Sequence, residues 1–175
     1  MRPLLPALLF GVALLAGAAG AETAANGADP KDQGFDHDKA LACSRQLAAG
    51  TRLPPEQHRT CLIQITSTYI EFEQNRLAPE KMLLADDISR HPLGSAPDYQ
   101  PGAHQKVRAA TAQKVITAIR NRQWVADGNY AWITYDGFRG GDQPSFWVSE
   151  RFLIDKGVIK EILIPAPKTA EPPKP

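Results

Sequence analysis

The fold of this chain is decided by YIE at residues 69–71 and ADDISRHPLGSAP at residues 85–97. The first piece belongs to an apolar stripe whose members recur at the three-to-four spacing of a helix: Leu62, Ile65, Tyr69 and Phe72. Tyr69 is therefore predicted to face inward, either as a core residue with one hydrogen bond or as a donor on a cavity wall. The second piece predicts a brief strand near residues 88–91, after which prolines and a glycine suggest a tight hairpin.

Helix signals come before strand signals along the chain. The predicted helices are residues 36–48 with Gly50 after their end, a second helix beginning at Pro54 and Pro55, residues 79–84 and residues 103–112. The predicted later strands are residues 114–126, 130–135, 145–154 and 158–164, with turn signals at DG (127–128) and DKG (155–157). Helices followed by hairpin-linked strands predict an α+β domain with helices packed on one face of a curved sheet.

The order of a tyrosine-bearing helix and the DDISRHP segment resembles the SnoaL-like and ketosteroid isomerase-like branch of the nuclear transport factor 2-like superfamily. The resemblance covers roughly residues 56–165. It implies a cone-shaped, curved antiparallel or mixed sheet with three to four helices packed on its concave face. It also implies that Tyr69 points into a conical cavity and that the residue before Pro92 is the base. That residue is usually an aspartate in the family, and here it is His91.

The resemblance also implies what the site residues would do. In ketosteroid isomerases an aspartate removes a proton beside a carbonyl, while a tyrosine and a protonated aspartate hold the enolate oxygen. Tyr69 matches the tyrosine, His91 replaces the basic aspartate and Ser149 stands at the second aspartate, so steroid isomerisation is not carried over. Histidine can replace a carboxylate base because its free pKa is about 6.5. The alternative is that His91 caps an exposed hairpin before Pro92.

Alternation along the strand at residues 145–153 defines two faces. One face carries Trp147, Ser149 and Arg151, and the other carries Phe146, Val148, Glu150 and Phe152. Matching Ser149 to a cavity position places its whole face in the cavity, where Trp147 and Arg151 would bind an anionic or aromatic ligand. The alternative is a solvated outer face on which Arg151 makes cross-strand ion pairs.

Two more residues are predicted to line the cavity, Asp87 and Trp132. For Trp132 the alternatives are the core or a dimer face, because aromatic strand residues commonly fill either. The four histidines show no metal-binding spacing, so neither a metal nor a cofactor is expected. The two cysteines, Cys43 and Cys61, are predicted to form a structural disulfide because the chain has export signals and an even cysteine count.

The ends of the chain predict export. Residues 1–21 read as a secretory signal peptide cleaved after Ala21, which predicts a periplasmic or secreted protein. Residues 22–34 and the proline-rich residues 166–175 are expected to be disordered, leaving one domain at residues 35–165. No membrane span is expected after the signal. Loss of Arg2 leaves equal numbers of basic and acidic residues, which argues against nucleic-acid binding.

Two functions follow from these features. The first is a cofactor-independent acid–base enzyme of isomerase, dehydratase or cyclase type that acts on a small, partly apolar molecule, with His91 as base and Tyr69 as donor. The second is a non-catalytic module of the same fold that binds a small ligand or a protein partner. A homodimer formed by sheet packing is compatible with either function.

Overall fold

The computed structural model describes residues 35–92, 102–112 and 116–165. Its elements are α1 (His37–Ala48), α2 (Pro55–Glu73), a 3₁₀ turn (Pro79–Lys81), β1 (Leu84–Pro92), α3 (Ala103–Ala112), β2 (Ala118–Asp127), β3 (Tyr130–Phe138), β4 (Phe146–Asp155) and β5 (Val158–Ile164). Most predicted bounds agree to within a few residues. The expectations for residues 1–34, for residues 166–175 and for the loop of the hairpin after Pro92 lie outside the described residues.

The five strands form one mixed sheet in the order β1-β5-β4-β3-β2. Strand β1 runs parallel to β5, whereas the other neighbours are antiparallel. The sheet is curved and is not closed into a barrel. One contribution to the curvature is a register shift in β2 between Arg120 and Gln123, where Asn121 adopts a φ of 54°. The predicted α+β fold class is thus confirmed.

Helix α1 begins and ends where its sequence signals indicate. The Asp36 carboxylate accepts hydrogen bonds from the backbone N–H groups of Asp38 and Lys39, at 2.8 and 3.2 Å. These bonds satisfy donors that have no partner within the helix. After the helix, Gly50 adopts a φ of 69°, a conformation that glycine reaches without the steric cost of a side chain.

Helix α2 is the central element of the fold. Every residue from Cys61 to Glu73 is buried, polar residues included, although the sequence indicated only one buried stripe. Helix α1 packs against it on one side, and α2 also contacts β2, β3 and β5. Polar side chains on α2 must therefore find partners inside the protein, because water does not reach them.

The predicted disulfide is confirmed, because Cys43 and Cys61 are bonded to each other. It joins α1 to the first half of α2, across a sequence separation of 18 residues. A loop of this length stabilises the folded chain by roughly 3 kcal/mol through its effect on the unfolded state. Such a bond is typical of oxidising compartments outside the cytoplasm.

Candidate functional site

The two faces of the sheet differ in what they contact. The ring of Tyr69 on α2 meets the ring of Phe152 on β4 edge to face, with centroids 5.5 Å apart. Helix α2 therefore covers the face of β4 that carries Phe152 and Glu150, both of which are buried. We call this side the inner face. The opposite side, which carries the 44% exposed Trp147, is the outer face.

The hydroxyl group of Tyr69 contacts an arginine on β1. Arg90 donates its Nε hydrogen to the Tyr69 hydroxyl oxygen at 3.2 Å. Because a phenol has one proton and can also accept, this bond leaves the Tyr69 proton available for a second partner. Burial raises the pKa of Tyr69 well above its usual value, and the nearby charges of Glu73 and Glu150 raise it further. Tyr69 is consequently a neutral hydrogen-bond donor at physiological pH.

A second tyrosine lies between two buried glutamates. The Tyr135 hydroxyl on β3 is 3.0 Å from Glu150 Oε1 and 3.3 Å from Glu73 Oε2. Burial raises the pKa of Tyr135 well above its usual value and is the largest cause. The charges of Glu150 and Glu73 raise this pKa further. The charge of an ionised Tyr69 would raise the pKa of Tyr135 as well. We call these five side chains the interior cluster: Tyr69, Glu73, Arg90, Tyr135 and Glu150.

Periodicity brings the interior cluster together from four elements. Tyr69 and Glu73 are four residues apart on α2 and so lie on the same face of the helix. Arg90 pairs with Ile162 on β5, which pairs with Phe152 on β4. Arg90 therefore shares the inner face with Phe152, because paired residues of neighbouring strands point to the same side.

A buried ion pair flanks the interior cluster. Arg122 of β2 donates to Glu71 of α2 at 2.9 Å, and both side chains are almost completely buried. A third residue, the partly exposed Arg76, is 3.6 Å from the other oxygen of Glu71. This pair ties the second half of α2 to β2 and so fixes the helix over the inner face.

His91 lies on the opposite side of β1 from Arg90. It pairs with Leu163 of β5, which pairs with Arg151 of β4, so His91 belongs to the outer face. Its ring is nevertheless buried, with 8% of its surface exposed, and its Nε2 is 3.3 Å from the Ser89 hydroxyl. The exposed hairpin position that was the alternative for His91 therefore does not agree with the structure.

The other expected cavity residues also lie away from Tyr69. Trp147, Ser149 and Arg151 alternate with the buried residues of β4 and lie on the outer face, where Trp132 pairs with Arg151. Arg151 donates to Glu161 at 2.7 Å and stacks over the Tyr130 ring at 5.2 Å. Asp87 is exposed and forms an ion pair with Lys160.

The residues expected to share a cavity with Tyr69 therefore lie on the outer face of β4, whereas α2 covers the inner face. The alternation itself was predicted, but a strand offers two sets of residues, and a shift of one position exchanges them. On β4 the residue that faces α2 is Glu150, one position after the expected Ser149. On β1 it is Arg90, one position before the expected His91.

Four members of the interior cluster were missed as site residues: Glu73, Arg90, Tyr135 and Glu150. A signal for Glu73 was present, because it follows Tyr69 by four residues within the same helix. A signal for Glu150 was also present, since it is the one charged residue in an otherwise apolar set on β4. Buried carboxylates are rare without a specific role or partner.

A surface pocket of about 220 Å³ lies elsewhere, between the start of α2 and the β2–β3 turn. Its lining includes Glu56, His58, Arg59 and Asp127, whose side chains are exposed or half-buried. Such groups remain hydrated, whereas functional sites concentrate ionisable groups that are buried together. The interior cluster is therefore the stronger candidate site. Among the residues that the structure describes, no group of three or more metal-binding side chains is present, and no helix could span a membrane.

No protein-family model matches the sequence, and no curated protein matches it. Solved structures do match. A protein assigned as a ketosteroid isomerase from Kribbella flavida is 17% identical, with a TM-score of 0.49 over 65% of this chain and 83% of that chain. A polyketide cyclase assigned in Sinorhizobium meliloti is 18% identical, with a TM-score of 0.44 over 57% and 92%. An LEH-like epoxide hydrolase of M. tuberculosis is 20% identical, with a TM-score of 0.45 over 61% and 83%. At these identities the similarities concern the fold alone.

Proposed function

We propose that this protein binds a small, partly apolar molecule inside the curved sheet and performs cofactor-independent acid–base chemistry on it. The observation that carries the proposal is the interior cluster, in which two glutamates and two tyrosines are buried together. A core that serves stability alone is better filled by apolar side chains, since burying carboxylates costs free energy. The pKa values of both tyrosines are raised, and perturbed ionisable groups are characteristic of catalytic sites.

In this proposal Tyr69 stabilises a developing oxyanion. Its hydroxyl accepts from Arg90 and keeps its own proton for the substrate oxygen. The raised pKa keeps that proton in place at physiological pH. The Arg90 charge strengthens the donor, because a phenol that accepts a hydrogen bond from a cation is more polarised. Hydrogen bonds aimed at developing negative charge are commonly the largest contribution to catalysis.

The glutamates supply the base. Glu150 and Glu73 both contact the Tyr135 hydroxyl, which holds them in fixed orientations. A carboxylate removes a proton from the carbon beside a carbonyl of the substrate, which becomes an enolate. Tyr69 donates a hydrogen bond to the negatively charged enolate oxygen. The proton then returns from the carboxylate to a carbon of the same molecule. No electron or group leaves the substrate, so the reaction needs no cofactor. His91, which was expected as the base, lies on the other face and has no role in this proposal.

The proposal can be tested without knowing the natural substrate. The ketone 2-tetralone, incubated with the protein in D₂O, exchanges its α-hydrogens for deuterium when a base removes and returns them, and NMR measures the rate. We expect wild-type protein to accelerate exchange and Glu150→Gln to lose about 100-fold or more of that acceleration. The matched control is Glu161→Gln, which removes an outer-face carboxylate and should retain exchange. Exchange no faster than in buffer would contradict the acid–base proposal.

A second candidate is a non-catalytic module that uses the outer face. The half-exposed Trp147 and the aromatic pair Tyr130 and Trp132, whose centroids are 5.5 Å apart, favour it. Aromatic residues and arginine are enriched in protein interfaces. The partner is then a protein or a second copy of this chain, and native mass spectrometry distinguishes a dimer from a monomer that carries a bound ligand.

We propose that the protein works outside the cytoplasm, as a periplasmic or secreted protein. The disulfide between Cys43 and Cys61 supports an oxidising environment. Mass spectrometry of the protein purified from a bacterial periplasm tests the signal-peptide proposal, because cleavage after Ala21 leaves Glu22 as the first residue.

A further inference from the structure

Among the neutral side chains that the structure describes, three buried polar atoms have no hydrogen-bond partner: Thr66 Oγ1, Ser67 Oγ and Trp124 Nε1. Their residues are at least nine-tenths buried, so bulk water does not satisfy them. Most buried polar atoms in proteins have a partner, and one without a partner lowers stability. These three atoms therefore require an explanation beyond packing.

Two of the three atoms, those of Thr66 and Trp124, lie beside the interior cluster. Thr66 is three residues before Tyr69, so both are on the same face of α2. Trp124 pairs with Ile133, which pairs with Glu150, and this places Trp124 on the inner face. It is two residues beyond Arg122 on β2, while Thr66 lies about one turn before Glu71 on α2.

The ion pair between Arg122 and Glu71 fixes how α2 lies over β2. The Ile119 N–H also donates to Gln74 Oε1 at 3.2 Å, so β2 runs antiparallel to α2. Thr66, which precedes Glu71, and Trp124, which follows Arg122, therefore lie towards the same end of the interior. Tyr69 and Arg90 hold a different position, at the β1 side of the sheet. The interior consequently offers hydrogen-bonding groups in two places, and on the strands between them the inner face carries the apolar residues Ile133 and Phe152.

We propose that Thr66 and Trp124 bind a second oxygen of the ligand, remote from the oxygen held by Tyr69 and Arg90. This inference rests on the proposed function and specifies its substrate class. Trp124 can only donate a hydrogen bond, whereas Thr66 can donate or accept one. The fitting group is a hydroxyl or carbonyl oxygen. The substrate is then an elongated, mainly apolar molecule with an oxygen function at each end.

Calorimetric titration with two probes tests the inference. The probe 2-naphthol carries one hydroxyl on an apolar bicycle, and 2,6-dihydroxynaphthalene carries a second hydroxyl at the far end. We expect the wild-type protein to bind the diol about tenfold more tightly, which corresponds to one net hydrogen bond. Thr66→Val and Trp124→Phe should abolish that preference and leave the affinity for 2-naphthol unchanged.

Thr68→Val is the matched control. Its hydroxyl donates to the Ile65 carbonyl at 2.7 Å and accepts from the Leu83 N–H at 3.3 Å, so its hydrogen bonds are made within the protein. Thr68→Val should keep the diol preference and lower the urea midpoint of unfolding. Thr66→Val should raise that midpoint, because it replaces an unpartnered hydroxyl by a methyl group of similar shape.

The outcomes separate the inference from the function on which it rests. Equal affinities of wild-type protein for the two probes overturn the second oxygen position and leave the acid–base proposal in place. A diol preference that survives in both Thr66→Val and Trp124→Phe also overturns it, and the two groups then hold internal water only. Failure to bind 2-naphthol removes the proposed interior site and this inference together.

Discussion

The inner and outer faces of the sheet are built from the same strands, but charged side chains are buried on the inner face and partly exposed to water on the outer face. On the inner face Glu150 and Tyr135 are buried and hydrogen-bonded to each other. On the outer face Arg151 and Glu161 form a partly exposed ion pair, and Trp147 is half exposed. Neighbouring residues of one strand, Glu150 and Arg151, therefore experience different surroundings only because of the pleat.

This difference separates the groups to which we assign chemistry in the proposed function from charged groups that remain in contact with water. Water screens a charge on the outer face, so its interactions are weak and its removal is tolerated. A charge on the inner face interacts strongly with its neighbours and depends on them. Substitutions on the inner face should consequently change stability or activity more than substitutions on the outer face.

The largest effect is expected for the buried ion pair. Arg122→Met leaves the Glu71 carboxylate buried, and among the described residues its remaining ion-pair partner is Arg76, at 3.6 Å. Breaking a buried pair by removing one partner costs about 3–5 kcal/mol of unfolding free energy. Urea denaturation, followed by tryptophan fluorescence, measures this loss.

The control for this prediction removes both charges. The double variant Arg122→Met with Glu71→Leu should recover most of the lost stability, because no unpaired charge remains in the interior. A single variant that is as stable as the wild type would mean that the ion pair does not hold α2 over β2. The contrast between the two faces would then lose its main structural basis.

The sequence predicted the elements and their order because these depend on local signals. The spacing of Leu62, Ile65 and Tyr69 indicated the helix, and DG at residues 127–128 indicated the hairpin. The disulfide followed from the number of cysteines and the export signals. In all of these cases the information lies within one segment or in the composition.

The face of each strand could not be predicted in this way. Which set of β4 residues points inward is set by α2, which is far away in sequence and covers one side only. Tyr69 was placed inward correctly because a helix has one stripe, whereas β4 has two candidate sets that differ by one position. Glu150 and Arg90 become recognisable as candidate site residues only when α2 is in place and brings Glu73 and Tyr69 close to them.

A smaller effect is expected from the alkaline dependence of stability. Because burial raises the pKa of Tyr69 and of Tyr135, the folded state keeps their protons after the unfolded chain has lost them. The contribution of these two tyrosines to the free energy of unfolding is fully present below about pH 10, the usual tyrosine pKa, and declines as the pH rises further. Each tyrosine should contribute a slope of up to about 1.4 kcal/mol per pH unit.

Urea unfolding between about pH 9 and about pH 11.5 measures this slope, because the range spans the tyrosine pKa of the unfolded chain. Tyr69→Phe and Tyr135→Phe should each make stability less sensitive to alkali. The outer-face variant Trp132→Phe, which removes no titratable group, should keep the wild-type slope. A slope that is the same in Tyr69→Phe and in the wild type would contradict the assignment of Tyr69 as a neutral donor.

The smallest effect is expected on the outer face. Arg151→Met removes the 2.7 Å ion pair with Glu161 but keeps an apolar chain over the Tyr130 ring. For a partly exposed pair the loss should be below about 1 kcal/mol and should shrink further in about 1 M salt. Urea unfolding at low and high protein concentration measures it. A loss as large as that of Arg122→Met, present only at high concentration, would mean that a second copy covers the outer face. The two faces would then be equally buried in the assembly, and the contrast would hold for the monomer alone.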